Sequence, residues 1–327
     1  MENLNENGEP DGLALRRSQI EEVIPIFVEA RRSRKEANRR INIRPSKSNR
    51  SELLQLLRPE GFDADRFESI RAQISAELRA RAKKLRADAA ARSSTSDAFD
   101  LDLARRIDDL KHPLVPPGGY VLALNTPYKI VLNNTPNASQ QSNHYEPYKS
   151  AGKYLLNAAT DDVNVEGDEN VSFYFAWVNT TNSPILIDAI ALLTIYGFGV
   201  LEVSGGWYGF QDVAVWANVN FSALRMWTNP PSLVPADPNN RASELIGRLF
   251  ETNTWWVPPT LQNDLVHRNY IPGYWHPNSI SVPVNGVLAF EANVDIEWGL
   301  TEGSINFEFT GGDFGIFCPY VLISSQP

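Results

Sequence analysis

A compositional break near His112-Pro113 divides this chain into two materials, and it constrains the fold more than any motif does. Residues 1–112 hold 23 of the 30 Lys and Arg against 20 acids, with only 4 aromatics, all Phe. Residues 113–327 hold 7 bases against 19 acids, and carry the other 30 aromatics, including all 8 Trp and all 11 Tyr. Bulky apolar side chains are what a large core is built from. The second part is therefore expected to contain the core, and the first to have a separate structural role.

With 327 residues, 43% of them hydrophobic, the chain needs no metal or disulfide staple to bury a sizeable core. Its one cysteine, Cys318, excludes an internal disulfide framework and a Cys-based zinc cluster, and its apolar setting GIFCPYVLI reads as a buried, inert thiol. Met1 to Asp11 is acidic and polar, without the apolar run of a signal peptide. The longest apolar candidate, Ile185 to Val203, is interrupted by Asp188, Gly197 and Gly199, so no membrane span is expected. The expected setting is cytoplasmic, or a particle assembled without classical secretion.

The first part reads as a charged helical region. Ile20, Val23, Ile24 and Phe27 recur at helical spacing, with Pro25 marking a kink or a late start. From Ala64 to Arg92, Phe67, Ile70, Ile74, Leu78 and Leu85 form a narrow stripe on a segment rich in Ala, Arg, Lys and Glu. Such a helix is about 40 Å long, and its stripe is wide enough for one partner helix, from this chain or from another copy. Ser96 is placed to cap a third helix carrying Phe99, Leu103, Ile107 and Leu110, which ends at the Pro and Gly run 113–119. Net +9 across Arg16–Arg92 resembles an electrostatic arm, yet no stacking aromatics accompany the arginines. This argues against nucleic acid and leaves the acidic second part, of its own or another subunit, as an equally good target.

After residue 119 the period falls from near 3.6 to 2. Strand-like runs follow at 120–125, 129–132, 171–178, 185–195, 213–224, 280–284, 286–294, 304–309 and 314–323, separated by turns such as NTTNSP and TGGD. The prediction is a mainly β fold: an antiparallel, jelly-roll-like β-sandwich over 113–327, preceded by the helical region of 1–112. One short helix is expected at 241–250 (RASELIGRLF), in a connection crossing one end.

Motifs for hydride transfer, nucleotide phosphate binding, zinc peptidase and nucleophile-elbow chemistry are absent. Gly197-Phe198-Gly199 reads as a close-packed strand. His267, His276 and Asp264 surround a turn-rich stretch but nothing gathers them into a ligand set. No resident cofactor is expected. The best ion candidate is Asp162, Asn164, Glu166 and Asp168, whose alternating oxygens resemble the opening half of a calcium loop; the twelfth position is Phe173, so an acidic turn is preferred over a weak calcium site. Asp295 and Glu297 lie on one face of a strand, with Glu291, Glu302 and Glu308 nearby, which keeps a paired-carboxylate glycoside hydrolase as an alternative.

Aromatics beside Gly and Pro are more distinctive: Trp207-Tyr208, Trp255-Trp256 and Tyr274-Trp275. Flat rings at loop tips make platforms for sugar faces or partner proteins. The expected function is non-enzymatic: a structural or binding subunit of a larger assembly, self-associating through its N-terminal helices, with a lectin-like carbohydrate-binding module as the alternative.

Overall fold

The computed structural model describes residues 11–38, 63–93, 121–133, 135–160, 164–203, 209–253 and 259–325. The expected third helix, and most of the Arg31–Arg50 basic stretch, lie outside them. Among the described residues, two helices, α1 (Asp11–Asn38) and α2 (Ala64–Ser93), precede fifteen strands.

The first strands are β1 (Val121–Leu124), β2 (Lys129–Leu132), β3 (Ala138–His144), β4 (Ala151–Thr160) and β5 (Val165–Val178). They are followed by β6 (Ile185–Val203), β7 (Gly209–Arg225), β8 (Ser232–Leu233), β9 (Arg241–Asn253) and β10 (Thr260–Tyr270). The last are β11 (Gly273–Tyr274), β12 (Ile280–Val282), β13 (Val287–Leu300), β14 (Gly303–Glu308) and β15 (Gly315–Ser325).

These strands form an antiparallel β-sandwich of jelly-roll-like form. One sheet runs β1-β15-β4-β14-β6-β10, with β3 on β4 and β11 and β12 on β6; the other runs β2-β5-β13-β7-β8, with β9 on β7. The chain passes from one sheet to the other between β5 and β6, and back again between β6 and β7. Alternation on β13 shows how the layers form. Leu288, Phe290, Ala292, Val294, Ile296, Trp298 and Leu300 all point into the core between the sheets, where they meet Phe221, Phe173 and Phe307. The residues between them face outward.

Each helix covers one outer face. On the six-stranded sheet, Ile20, Val23 and Phe27 of α1 pack on Tyr174, Ala176, Leu224 and Ala289, with the Phe27 and Tyr174 ring centroids 5.9 Å apart. Pro25 sits inside the helix, on its exposed side. On the nine-stranded sheet, Ala82, Leu85 and Ala89 of α2 pack on Phe198, Val200 and Phe314. Basic groups fasten it there: Arg79 pairs with buried Glu202 at 2.7 Å, Ser75 also bonds that carboxylate, and Arg86 donates to Asn306 at 2.6 Å.

Two expectations change. Residues 241–250 are not a helix but the body of β9, paired along β7. A bulge at Val215/Trp216 resets the strand's parity, so the inward apolar residues fall at Ala242, Ile246 and Leu249. Steps of four and three imitate a helical stripe. The partner of α2 is also different: among the described residues it is a sheet, not a helix, and α2 meets it through Ser75, Arg79, Ala82, Arg86 and Ala89, with Leu85 the one described stripe residue that packs there. At 3.6 residues per turn Ile70, Ile74 and Leu78 lie about a quarter turn from that line.

Candidate functional site

The outer face of the six-stranded sheet is polar where α1 ends. On β13 the outward residues are Glu291, Asn293, Asp295 and Glu297, all buried. Beside them stand Tyr174, Ser172, Asn170 and Asp168 of β5, and Ser222, Asn220, Asn218 and Trp216 of β7. A sheet face this polar stays buried only when its groups find partners. Asn293 Nδ2 donates to Ser172 Oγ at 3.0 Å, and Ser172 Oγ donates to Asn170 Oδ1 at 3.0 Å.

Arginines from α1 complete the arrangement. Arg31 donates to Ser172 Oγ at 2.6 Å and to Glu291 Oε1 at 2.9 Å; the same carboxylate oxygen accepts from Tyr174 OH at 2.9 Å. Burial, and next the Glu291 charge, push the Tyr174 phenol well above its ordinary range. Arg34, three residues on and so on the same side of the helix, donates twice to Ser222 Oγ at 3.1 Å. Beyond these contacts lies a cavity of about 290 Å³, bordered by Arg31, Arg34, Asn218, Asn220, Arg241, Ser243, Asp295 and Glu297.

Asp295 and Glu297 thus share a face as their spacing requires, with Glu291 on the same strand. Glu302 and Glu308 do not join them: Glu302 accepts from Gln211 at 2.8 Å, and Glu308 lies on the other sheet beside Arg86. Among the aromatic candidates, Trp207, Tyr208, Trp255 and Trp256 lie outside the described residues. Tyr274 is no platform: it is 1% exposed and packs in the core at 6.1 Å from Phe221, because β11 pairs with β6 and turns that ring inward. Trp275 points the other way, half-buried against Ile190, Leu192, Tyr320 and Leu322.

Of the ion candidates, Asp162 lies outside the described residues. Asn164 accepts from Thr301 Oγ1 at 2.6 Å, and Glu166 and Asp168 sit on β5, strung along an extended strand rather than wrapped around a point. Asp264 and His267 are three apart on β10, hence on opposite faces; His267 lies 5.2 Å from the Tyr196 ring and His276 is in an exposed turn. No group of three or more His, Cys, Asp or Glu among the described residues is placed to hold a metal. Trp216, next to Glu297 in register, escapes sequence reasoning because it sits in a strand interior and not beside a turn. The arginine partners continue the helical stripe of Ile20, Val23 and Phe27 by steps of four and three, but the sequence alone does not say which sheet face that stripe meets.

No family model matches this chain and no curated protein does. Solved structures give weak likenesses. The enzymatically active domain of the bacteriophage CBA120 tailspike protein 4 is 8% identical over 61% of this chain, with a TM-score of 0.15; the match spans 19% of that protein's length. TmCBM61, solved with β-1,4-galactotriose, is 13% identical, covering 63% of this chain and 92% of its own, with a TM-score of 0.14. The Washington University polyomavirus VP1 pentamer is 11% identical, covering 63% and 93%, with a TM-score of 0.16. Likenesses at this level carry no argument about function, and the fold stands on its own strand pairing.

Proposed function

We propose that this chain is a non-enzymatic structural or binding subunit of a larger assembly, in which the N-terminal helices mediate association and the sandwich provides surface contacts. The orientation of α2 carries this reading. The helix holds the sheet by a mainly small and basic face that includes Leu85, while the earlier part of its apolar stripe turns aside, leaving Ile70 48% and Ile74 39% exposed. A stripe of that width in water fits a single partner helix. A second copy supplies one with matched charge. Acids Asp63, Asp65 and Glu68 precede the two isoleucines and bases Arg81, Lys83 and Lys84 follow them, so an antiparallel pair centred at Ala72 sets Asp63 opposite Arg81.

The test is sedimentation of the full chain and of the Ile70→Asp/Ile74→Asp double variant. The parent is expected to run as more than one chain and the variant to dissociate, because two charges in a dry seam cost several kcal/mol. Unchanged sedimentation of the variant rules out this seam. A glycoside hydrolase reading is supported by one observation, the shared face of Asp295 and Glu297 beside a cavity.

A further inference from the structure

Three rungs of side chains cross the outer face of β13, β7 and β9. In register, Glu297 stands beside Trp216 and Trp216 beside Leu245; Asp295 beside Asn218 and Asn218 beside Ser243; Asn293 beside Asn220 and Asn220 beside Arg241. Successive rungs are two residues, or about 7 Å, apart. The cavity overlies Asp295, Asn218, Ser243, Asn220 and Arg241, with Glu297 also on its border, and Arg31 and Arg34 close it on the side of α1.

The chemistry of the strip narrows what fits it. Two carboxylates argue against a simple anion, and three arginines argue against a cation. The mixture suits a neutral ligand whose groups both donate and accept. Asn220 offers a donor and an acceptor, Arg241 donors, and Asp295 and Glu297 acceptors. Ser243 donates to Asn218 Oδ1 at 2.6 Å, which engages that oxygen and leaves the Asn218 amide nitrogen to donate. Trp216 is half-buried on the outer side of β7, next to Glu297 in register and so one rung beyond Asn218, where a ligand longer than the cavity would meet a flat apolar ring. Hydroxyls around a rim and an apolar C–H face are the two surfaces of a pyranose. A cavity of about 290 Å³ lies at the small end of ligand pockets, room for one or two rings.

We infer that this strip is a binding site for a neutral oligosaccharide, with Trp216 stacking on one ring and Asn218, Asn220 and Arg241 bonding its hydroxyls. The site lies wholly within one chain and does not rest on the assembly reading: the Ile70→Asp/Ile74→Asp variant should bind sugar as the parent does.

The experiment probes the full chain with immobilised gluco-, galacto-, manno- and xylo-oligosaccharides of two to four units, then titrates the best binder calorimetrically. Trp216→Ala should weaken binding about thirtyfold. Asn220→Ala, a smaller change at a half-buried position, should weaken it about fivefold with an unchanged circular dichroism spectrum. The sugar should be recovered intact. No binding across the four series overturns the proposal, as does binding that both variants retain at parental affinity. Release of shortened sugar would replace the binding site with a hydrolase.

Discussion

Glu291 is 1% exposed, and its carboxylate is held by one guanidinium and one phenol that come from different elements. Removing one partner of such a pair leaves a buried charge, which costs more than the pair itself contributes. Arg31→Ala should therefore destabilise the fold by about 3 kcal/mol in urea unfolding, and Glu291→Gln by less, since an amide oxygen still accepts both bonds. Burial also pushes the phenols of Tyr154, Tyr174, Tyr270 and Tyr274 above their ordinary range. Above pH about 10 the unfolded chain ionises its tyrosines while the folded chain keeps these neutral. The folded state then binds more protons, and stability falls as pH rises. Urea midpoints at pH about 8 and about 10.5 should show that fall, and Tyr154→Phe should flatten it. Cys318, buried and with its thiol pushed up, should react with a thiol reagent after unfolding and not before.

Elements differ in how plainly they could be read before the structure was known. Strands buried on both sides, such as 171–178 and 185–195, announce themselves as long apolar runs. Strands at the edges do not: β3 (ASQQSNH) and β10 (TLQNDLVHRNY) are polar and exposed, so nothing but pairing on one side marks them as strands. The bulged β9 shows a third way to mislead, since its helix-forming residues are overridden by the open edge of β7. Gly197-Phe198-Gly199 was legible for a physical reason. A Cβ on Gly197 would fall 2.5 Å from the Phe309 ring and one on Gly199 2.6 Å from the Phe307 ring, so the two glycines make room for aromatics of the neighbouring segment. Gly199→Ala is expected to cost about 1–3 kcal/mol through that clash, measurable as a lowered thermal midpoint.

Across the whole molecule, every described strand lies after the compositional break, and the opposite net charges of the two parts have their counterpart in Arg31 on Glu291 and Arg79 on Glu202. The charge asymmetry makes contact between the parts one expectation, but which arginine meets which acid depends on docking geometry set by the finished sheets. Trp216 and Asn218 became a site for the same reason: they need β9 and β13 in register on either side. The large core between the sheets involves neither helix, so a 113–327 fragment is expected to fold, with Tyr174, Leu224 and Glu291 newly uncovered. The most direct test of the association claim is the mass in solution of the full chain and of this fragment, measured over the same concentration range. The full chain is expected to run as two or more copies and the fragment to stay a single copy. A full chain that remains monomeric throughout, or a fragment that associates as strongly as the full chain, would contradict it.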